Sequence, residues 1–540
     1  MAAVFWAAMT VILAEVLSAL GQLNRDWLLG GWLAFDAGLI GVAWASWRRR
    51  RTEVPLQFPS YGKFDAVLLG ILGAYLCALA AVAWAAPPNN VDSLLYHMAR
   101  VVHWAQQGSL VHYPTGYGHQ LWFPPGAEIL LMNVRLLVGD DRLAGFVQWF
   151  SFLGSLVGVW WIGRLIGLSR PGKWVAVSFA ASIPMAVLQA TSTQNDMVAA
   201  FWVVALSGLV INTLQRSLAA VEAFAVGAAL GIGLLTKGTA YFACAPLVLW
   251  LILARPWRDR PRQSLVVLLL VGVIAILLNA GHGLRNLALG WTPVGPLDGD
   301  SLAQYPQGAI AALGSALLRP LQAALLNFAT PSPELNSRIA DGLAMLQKTL
   351  GVSIEGAALN WDWNHEDLAG SPVHFLVILG GILCVTVRQG WPKVGVTYAI
   401  CLVAGYILLP IAVSQAVIPT SIRYQLTFLV TGSPLVGLVL GRHLKPRALT
   451  VVAYLFLLSA LPWILFNKTR PVVAMRPGPG PGELPCLAGC TAVGSVFNST
   501  KTDLLFANLQ PRREGYMGMT QSLREKSCRD VGLRIDSHDP

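Results

Sequence analysis

The sequence is short of charge. Asp, Glu, Lys and Arg make up 12% of its 540 residues, against about 25% in an ordinary soluble domain. That shortfall excludes a soluble multidomain enzyme, a solvated disordered chain and a fibrous protein. Cysteine is scarce as well, and seven in 540 residues cannot form the disulfide framework of a secreted scaffold. Cys77, Cys244, Cys384 and Cys401 lie in apolar stretches and read as small core residues, whereas Cys486, Cys490 and Cys528 lie in a polar tail. The N-terminus, MAAVFWAAMTVILAEVL, lacks a basic leader and a clear cleavage site, so it reads as a retained first span. No internal repeat is discernible.

What is abundant is apolar carbon: 55% of residues are hydrophobic and the mean hydropathy is +0.58. It comes in blocks separated by short basic loops. A backbone inside lipid must satisfy its own hydrogen bonds, so such blocks are helices. The expectation is an all-α polytopic membrane protein of about thirteen spans, near 2–20, 28–47, 64–86, 143–164, 174–189, 197–214, 221–236, 239–254, 264–281, 373–387, 394–413, 424–441 and 448–466. The net charge of +11 is spread between these blocks. Topology and anionic lipid account for it, and nucleic acid does not.

Six alternate short loops carry the Lys and Arg clusters, from Arg48–Arg51 and Lys63 to Arg442, Lys445 and Arg447. The positive-inside rule makes that side cytoplasmic, with the N-terminus inside and the tail outside. The opposite, extracytoplasmic face then holds the large loops 87–142 and 282–372 and the tail 467–540. In the first loop, 92–107 reads as an amphipathic helix and a second helix starts near residue 125 after a Pro-Pro step. Both are expected to lie at the interface. In the tail, RPGPGPGELP (476–485) reads as a linker, followed by a small α/β segment with a helix near 515–528 and a strand near 530–535. Cys486 and Cys490 can form a local disulfide there or stand as two free thiols.

Five spots on the outer face can carry chemistry. Asp92 follows the third span, and on a regular helix Tyr96, Arg100 and His103 share its face. The plain alternative is that Asp92 only caps a helix. Asp196 ends the polar knot TSTQND (191–196), with the same alternative. Acids at a membrane edge are functional by default. Lys237 interrupts an apolar run from 221 to 254, about 51 Å as one helix and so too long for one span. Two short helices must meet there, and a lysine beside a helix N-terminus suits a phosphate. Arg423 and Tyr424 open a later span in SIRYQLTF, as phosphate ligands or interfacial anchors, and Arg285 lies beyond the 264–281 span. Finally, WDWNHEDLAGSPVH (361–374) offers tryptophans with His365, Glu366 and Asp367 for sugar stacking, acid–base work or metal ligation, although no zinc spacing fits.

In their order and shared sidedness, VDSLLYH, FPPGAEILL, STQND, GLLTKG and RYQLTF resemble the GT-C superfamily of polytopic glycosyltransferases. That superfamily includes protein O-mannosyltransferases and lipid A aminoarabinose transferases. The resemblance covers roughly 64–466, with two additional N-terminal spans in 1–63 and an extracytoplasmic segment at 467–540. The chain stops at RIDSHDP, in what reads as the middle of a small domain, which points to a truncated C-terminus.

The resemblance implies an inverting transfer of a sugar from a polyprenyl-phosphate donor to an envelope glycan, lipid or protein. The site would lie on the outer face of the bacterial inner membrane. It implies Asp92 and Asp196 as catalytic residues. Tyr96, His97, Arg100, Lys237, Arg285, Glu366, Asp367, Arg423 and Tyr424 would be the substrate contacts. A divalent cation, magnesium or manganese on Asp92 and Asp196, stays open, although relatives often carry an acidic pair where this chain has the single Asp92. A lipid or sugar transporter or flippase, and a non-catalytic envelope-assembly protein, are the alternatives. The lack of repeat symmetry speaks against a transporter.

Overall fold

The computed structural model describes residues 1–49, 62–215, 220–254, 261–296, 309–349, 359–413, 418–480, 482–486 and 488–527. Nine helices in these residues are long and apolar enough to cross a membrane, and three shorter apolar helices, Ala220–Thr236, Thr239–Ala254 and Pro372–Val387, accompany them. The chain is therefore a multi-pass helical membrane protein. The expected 174–189 span is two helices, Arg170–Ala181 and Pro184–Gln189. Pro184 has no N–H to continue the ladder and disfavours helical geometry in the residue before it.

Sequence decides which helices are central. Asp196–Gln215 is apolar on every face, and 83% of its most apolar window is buried, against 11% for Arg25–Arg48 near the N-terminus. Small residues allow close approach elsewhere. Gly227 and Gly231, one turn apart, receive the backbone of Val271 and Ala275 from Pro261–Ala288. A Cβ at Gly227 would lie 2.9 Å from the Val271 carbonyl. That long helix runs to Ala288, so Arg285 belongs to its last turn.

The tail is not a separate body on a linker. Val493, Val496, Leu504 and Ala507 pack on Val82 and Ala86 at the end of Lys63–Ala85. Asn89 donates to the carbonyls of Thr469 and Leu504, and Asn508 donates to that of Asn89. The tail contains the helix Arg513–Glu525, a two-residue parallel pairing of Met475–Arg476 with Leu484–Pro485, and a Cys486–Cys490 disulfide. Cys528, the strand expected near 530–535 and the RIDSHDP end lie outside the described residues, as do Arg50, Arg51, Arg216, Arg255, Arg258 and Arg260 of the basic loops.

The charge pattern predicts which side the tail occupies. A reporter active only in the cytoplasm, fused after Glu525, should stay silent. Activity there would invert the topology and move every outer-face residue inside.

Candidate active site

The first-loop helix begins at Asn90, whose Oδ1 accepts from the Ser93 N–H at 2.7 Å. Asp92 makes no capping bond. Its Oδ2 instead accepts from the Tyr96 hydroxyl at 3.1 Å. Residues Ser93–His97 form a π-turn before the α-helix Met98–Gln107. The wider turn changes which side chains share a face. Asp196 is not a cap either: the N–H groups of Met197 and Val198 donate to Gln148 Oε1 at 2.9 and 3.2 Å. Both carboxylates are thus free for other partners.

Those partners are cations. Arg423 meets Asp92 Oδ2 at 2.5 Å through one guanidinium nitrogen and Asp367 Oδ1 at 3.1 Å through another. Lys237 Nζ lies 2.6 Å from Asp196 Oδ1 and 3.0 Å from Asn195 Oδ1. Tyr424 sits between the two cations, its ring centroid 5.0 Å from Lys237 Nζ and 5.8 Å from the Arg423 guanidinium carbon. Gln194 closes the group by donating to Asp367 Oδ1 at 2.6 Å. Three carboxylates and two cations, drawn from segments near 92, 196, 237, 367 and 423, therefore meet at one place. The Asp92 side chain keeps 20% exposure, that of Asp367 12% and that of Asp196 only 2%, so Asp92 is the most open of the three carboxylates.

Burial acts on both partners of Arg423, with opposite outcomes. Burial pushes Asp92 up, but Arg423, His97 and Lys237 together pull it below the usual carboxylate value. Burial also pushes Asp367 up, and there Arg423 does not fully compensate, because Glu366 and Asp92 add negative charge nearby. Asp367 is the more basic of the two.

Four residues expected at this site lie elsewhere or turn away from it. His97 and Arg100 are fully buried: His97 Nδ1 contacts Glu128 Oε1 at 2.6 Å, and Arg100 donates to the carbonyls of Gln120 and His119 at 2.7 and 2.8 Å. Arg100 is thus turned inward by the π-turn, and His103 stacks on Tyr113. The polar stripe of a regular helix does not exist beyond Tyr96. Arg285 forms a bidentate pair with Glu15 of the first helix, at 2.7 and 2.8 Å. Glu366 faces away from Asp367 into a buried pair with Arg470 at 3.3 Å, where Thr469 also donates to it.

Sequence reading missed Arg470, Gln194 and Glu128. Arg470 had a signal, because NKTR (467–470) puts two cations directly after the last span on the face where Lys and Arg are scarce. Glu128 and Gln194 had none beyond position.

The donor set does not fit a resident magnesium or manganese ion. Asp92 and Asp196 already neutralise Arg423 and Lys237. Among the described residues, no three His, Cys, Asp or Glu side chains gather as metal ligands.

Residues 124–282 match the family described as dolichyl-phosphate-mannose-protein mannosyltransferase. The match contains Asp196 and Lys237 but stops short of Asp92, Asp367 and Arg423. Among solved structures, ArnT from Cupriavidus metallidurans bound to undecaprenyl phosphate is 15% identical, with TM-score 0.47 over 72% of this chain and 62% of that one. The oligosaccharyltransferase AglB from Archaeoglobus fulgidus, in complex with an inhibitory peptide and a dolichol-phosphate, is 13% identical, with TM-score 0.40 over 75% and 55%. The arabinosyltransferase EmbB from Mycobacterium smegmatis is 14% identical, with TM-score 0.33 over 77% and 45%. The chain thus spans less than two thirds of the length of each. No curated protein matches it. The matched family and these three proteins all belong to the GT-C superfamily, the group the motifs resemble.

Proposed function

We propose that this chain is a GT-C glycosyltransferase that moves a sugar from a polyprenyl-phosphate donor to an envelope acceptor at the extracytoplasmic face of the inner membrane. The observation that carries the reading is the meeting of Arg423 and Lys237 around Tyr424, with Asp92 the open carboxylate beside them. The matched family and the polyprenyl phosphates bound by ArnT and AglB support the same donor class.

Each residue type suits a part of the reaction. An acceptor hydroxyl oxygen attacks the anomeric carbon. The carbon–phosphate-oxygen bond breaks, and polyprenyl phosphate leaves with the electron pair. Negative charge grows on the phosphate, where fixed cations in a dry site stabilise it. Arg423 and Lys237 are those cations. Asp92 takes the acceptor proton. Asp196 holds Lys237 in place, and Tyr424 keeps the two cations apart.

Donor binding also activates the base. Before donor arrives, Arg423 is shared by Asp92 and Asp367 and lowers the basicity of Asp92. A donor phosphate competes for the same guanidinium. As Arg423 turns to it, Asp92 regains basicity when an acceptor proton needs a destination.

Incubating membranes with radiolabelled polyprenyl-phosphate sugars tests the reading. Transfer to an envelope acceptor is expected, and transport without bond exchange would overturn it. Lys237→Ala should raise the KM for the lipid donor roughly tenfold or more, as expected for loss of a charge-assisted contact worth about 1.5–3 kcal/mol. Its KM for acceptor should change little. An unaltered donor KM would reduce Lys237 to a partner of Asp196.

A further inference from the structure

A cleft lies on the large loop that carries Asp367. It encloses about 400 Å³ between the start of the Pro333–Thr349 helix and residues 359–361. Among the described residues its lining holds no charged side chain: Thr330, Asn336, Ser337, Asn360 and Trp361 supply hydroxyls, amides and an indole, and the rest is proline and aliphatic carbon. Neutral polar groups beside an aromatic ring suit a molecule with hydroxyls on its rim and C–H groups on its faces.

The two tryptophans of the WDW run have different fates. Trp363 is consumed by the fold, with its ring near Trp463 and Phe466 and its N–H directed to the Ala488 carbonyl. Trp361 is half-buried, and among the described residues no ring contact or hydrogen bond engages its indole. The Ser337 hydroxyl and Asn360 amide beside it are likewise unbonded among the described residues, whereas Asn336 is committed to Thr330 at 2.8 Å. Trp361 lies six residues before Asp367, which limits their separation to about 20 Å of extended chain. The intervening segment is pinned by Asp362 to Lys468 and by Asn364 to the carbonyls of Phe466 and Gly489.

We propose that this cleft is a carbohydrate subsite that holds a neutral glycan of the acceptor, with Trp361 as its stacking platform. The proposal rests on the transferase reading for the word acceptor only; the binding itself does not require it.

The test is direct binding without donor. The full chain in lipid nanodiscs is titrated with chitotriose and with mannotriose, and saturation transfer to the sugar ring protons is read. Wild type should bind at least one of them. Trp361→Ala should weaken binding about tenfold, as truncation of an aromatic anchor does, while Trp361→Phe, which keeps a ring, should lose far less. Asp92→Asn should bind as wild type. Where transfer is measurable, Trp361→Ala should raise the acceptor KM and leave the donor KM unchanged. Absence of binding by wild type, or equal binding by Trp361→Ala, overturns the proposal. Sugar binding that depends on Trp361 in a protein without transferase activity would retain the subsite and sink only the transferase reading.

Discussion

Asp92→Asn should lower sugar transfer by about 10²–10⁴, the usual cost of losing a general base, while expression and thermal stability stay near wild type. The fold has little stake in this carboxylate. The helix is capped by Asn90, and Asp92 retains 20% side-chain exposure. Arg423 keeps Asp367 as a partner at 3.1 Å, so no buried cation is orphaned. An amide in the same place still accepts from the Tyr96 hydroxyl but cannot take a proton. The companion variant is Asp367→Asn. If Asp92→Asn retains full transfer and Asp367→Asn abolishes it, the base lies on the other side of Arg423, where burial makes the carboxyl more basic. Full transfer by both would return the cluster to a structural role.

Arg470→Met should be the most destabilising single change near the site. Arg470 is 1% exposed and Glu366 fully buried, and the guanidinium also bonds Asn89 at 2.7 Å and Thr191 at 3.1 Å. It ties the tail to three loops. Removing one partner of a buried pair leaves an uncompensated charge and costs about 3–5 kcal/mol. The measurement is the apparent melting temperature in detergent, with expression level as a second readout. Because a well-packed apolar pair can replace a buried ion pair at little cost, Glu366→Leu combined with Arg470→Met should recover much of the loss. A double variant as unstable as the single one would show that Asn89 and Thr191, not Glu366, are what Arg470 serves.

The same pair sets an acid limit. Burial alone would raise the Glu366 carboxyl, but Arg470 leads the groups that hold it at about 2, against an ordinary 4.5. A depressed carboxyl contributes stability that is complete above its unfolded value and is lost as pH falls through the folded one. The contribution of this pair should therefore be intact above about pH 4.5 and fade towards pH 2, and it should be missing at every pH in the double variant.

The sequence by itself determined the multi-pass helical character, because hydropathy and run length are local quantities. Among the described residues nine helices are long and apolar enough to cross, and the junction at Lys237 lies between Ala220–Thr236 and Thr239–Ala254 because 34 apolar residues cannot cross as one helix. It also singled out Asp92, Asp196, Lys237 and Arg423, since charge is expensive at a membrane edge and stands out against an apolar background. Tertiary structure alone decided how these residues pair and which neighbours join them. A π-turn of five residues, with no periodicity to announce it, sends His97 and Arg100 to Glu128 and leaves only Tyr96 with Asp92. Glu366 and Asp367 are adjacent in sequence, yet one pairs with Arg470 and the other with Arg423. Arg285 finds Glu15, 270 residues away. Pairings of that reach depend on which helices pack together, and packing is a property of the whole chain that no local pattern encodes.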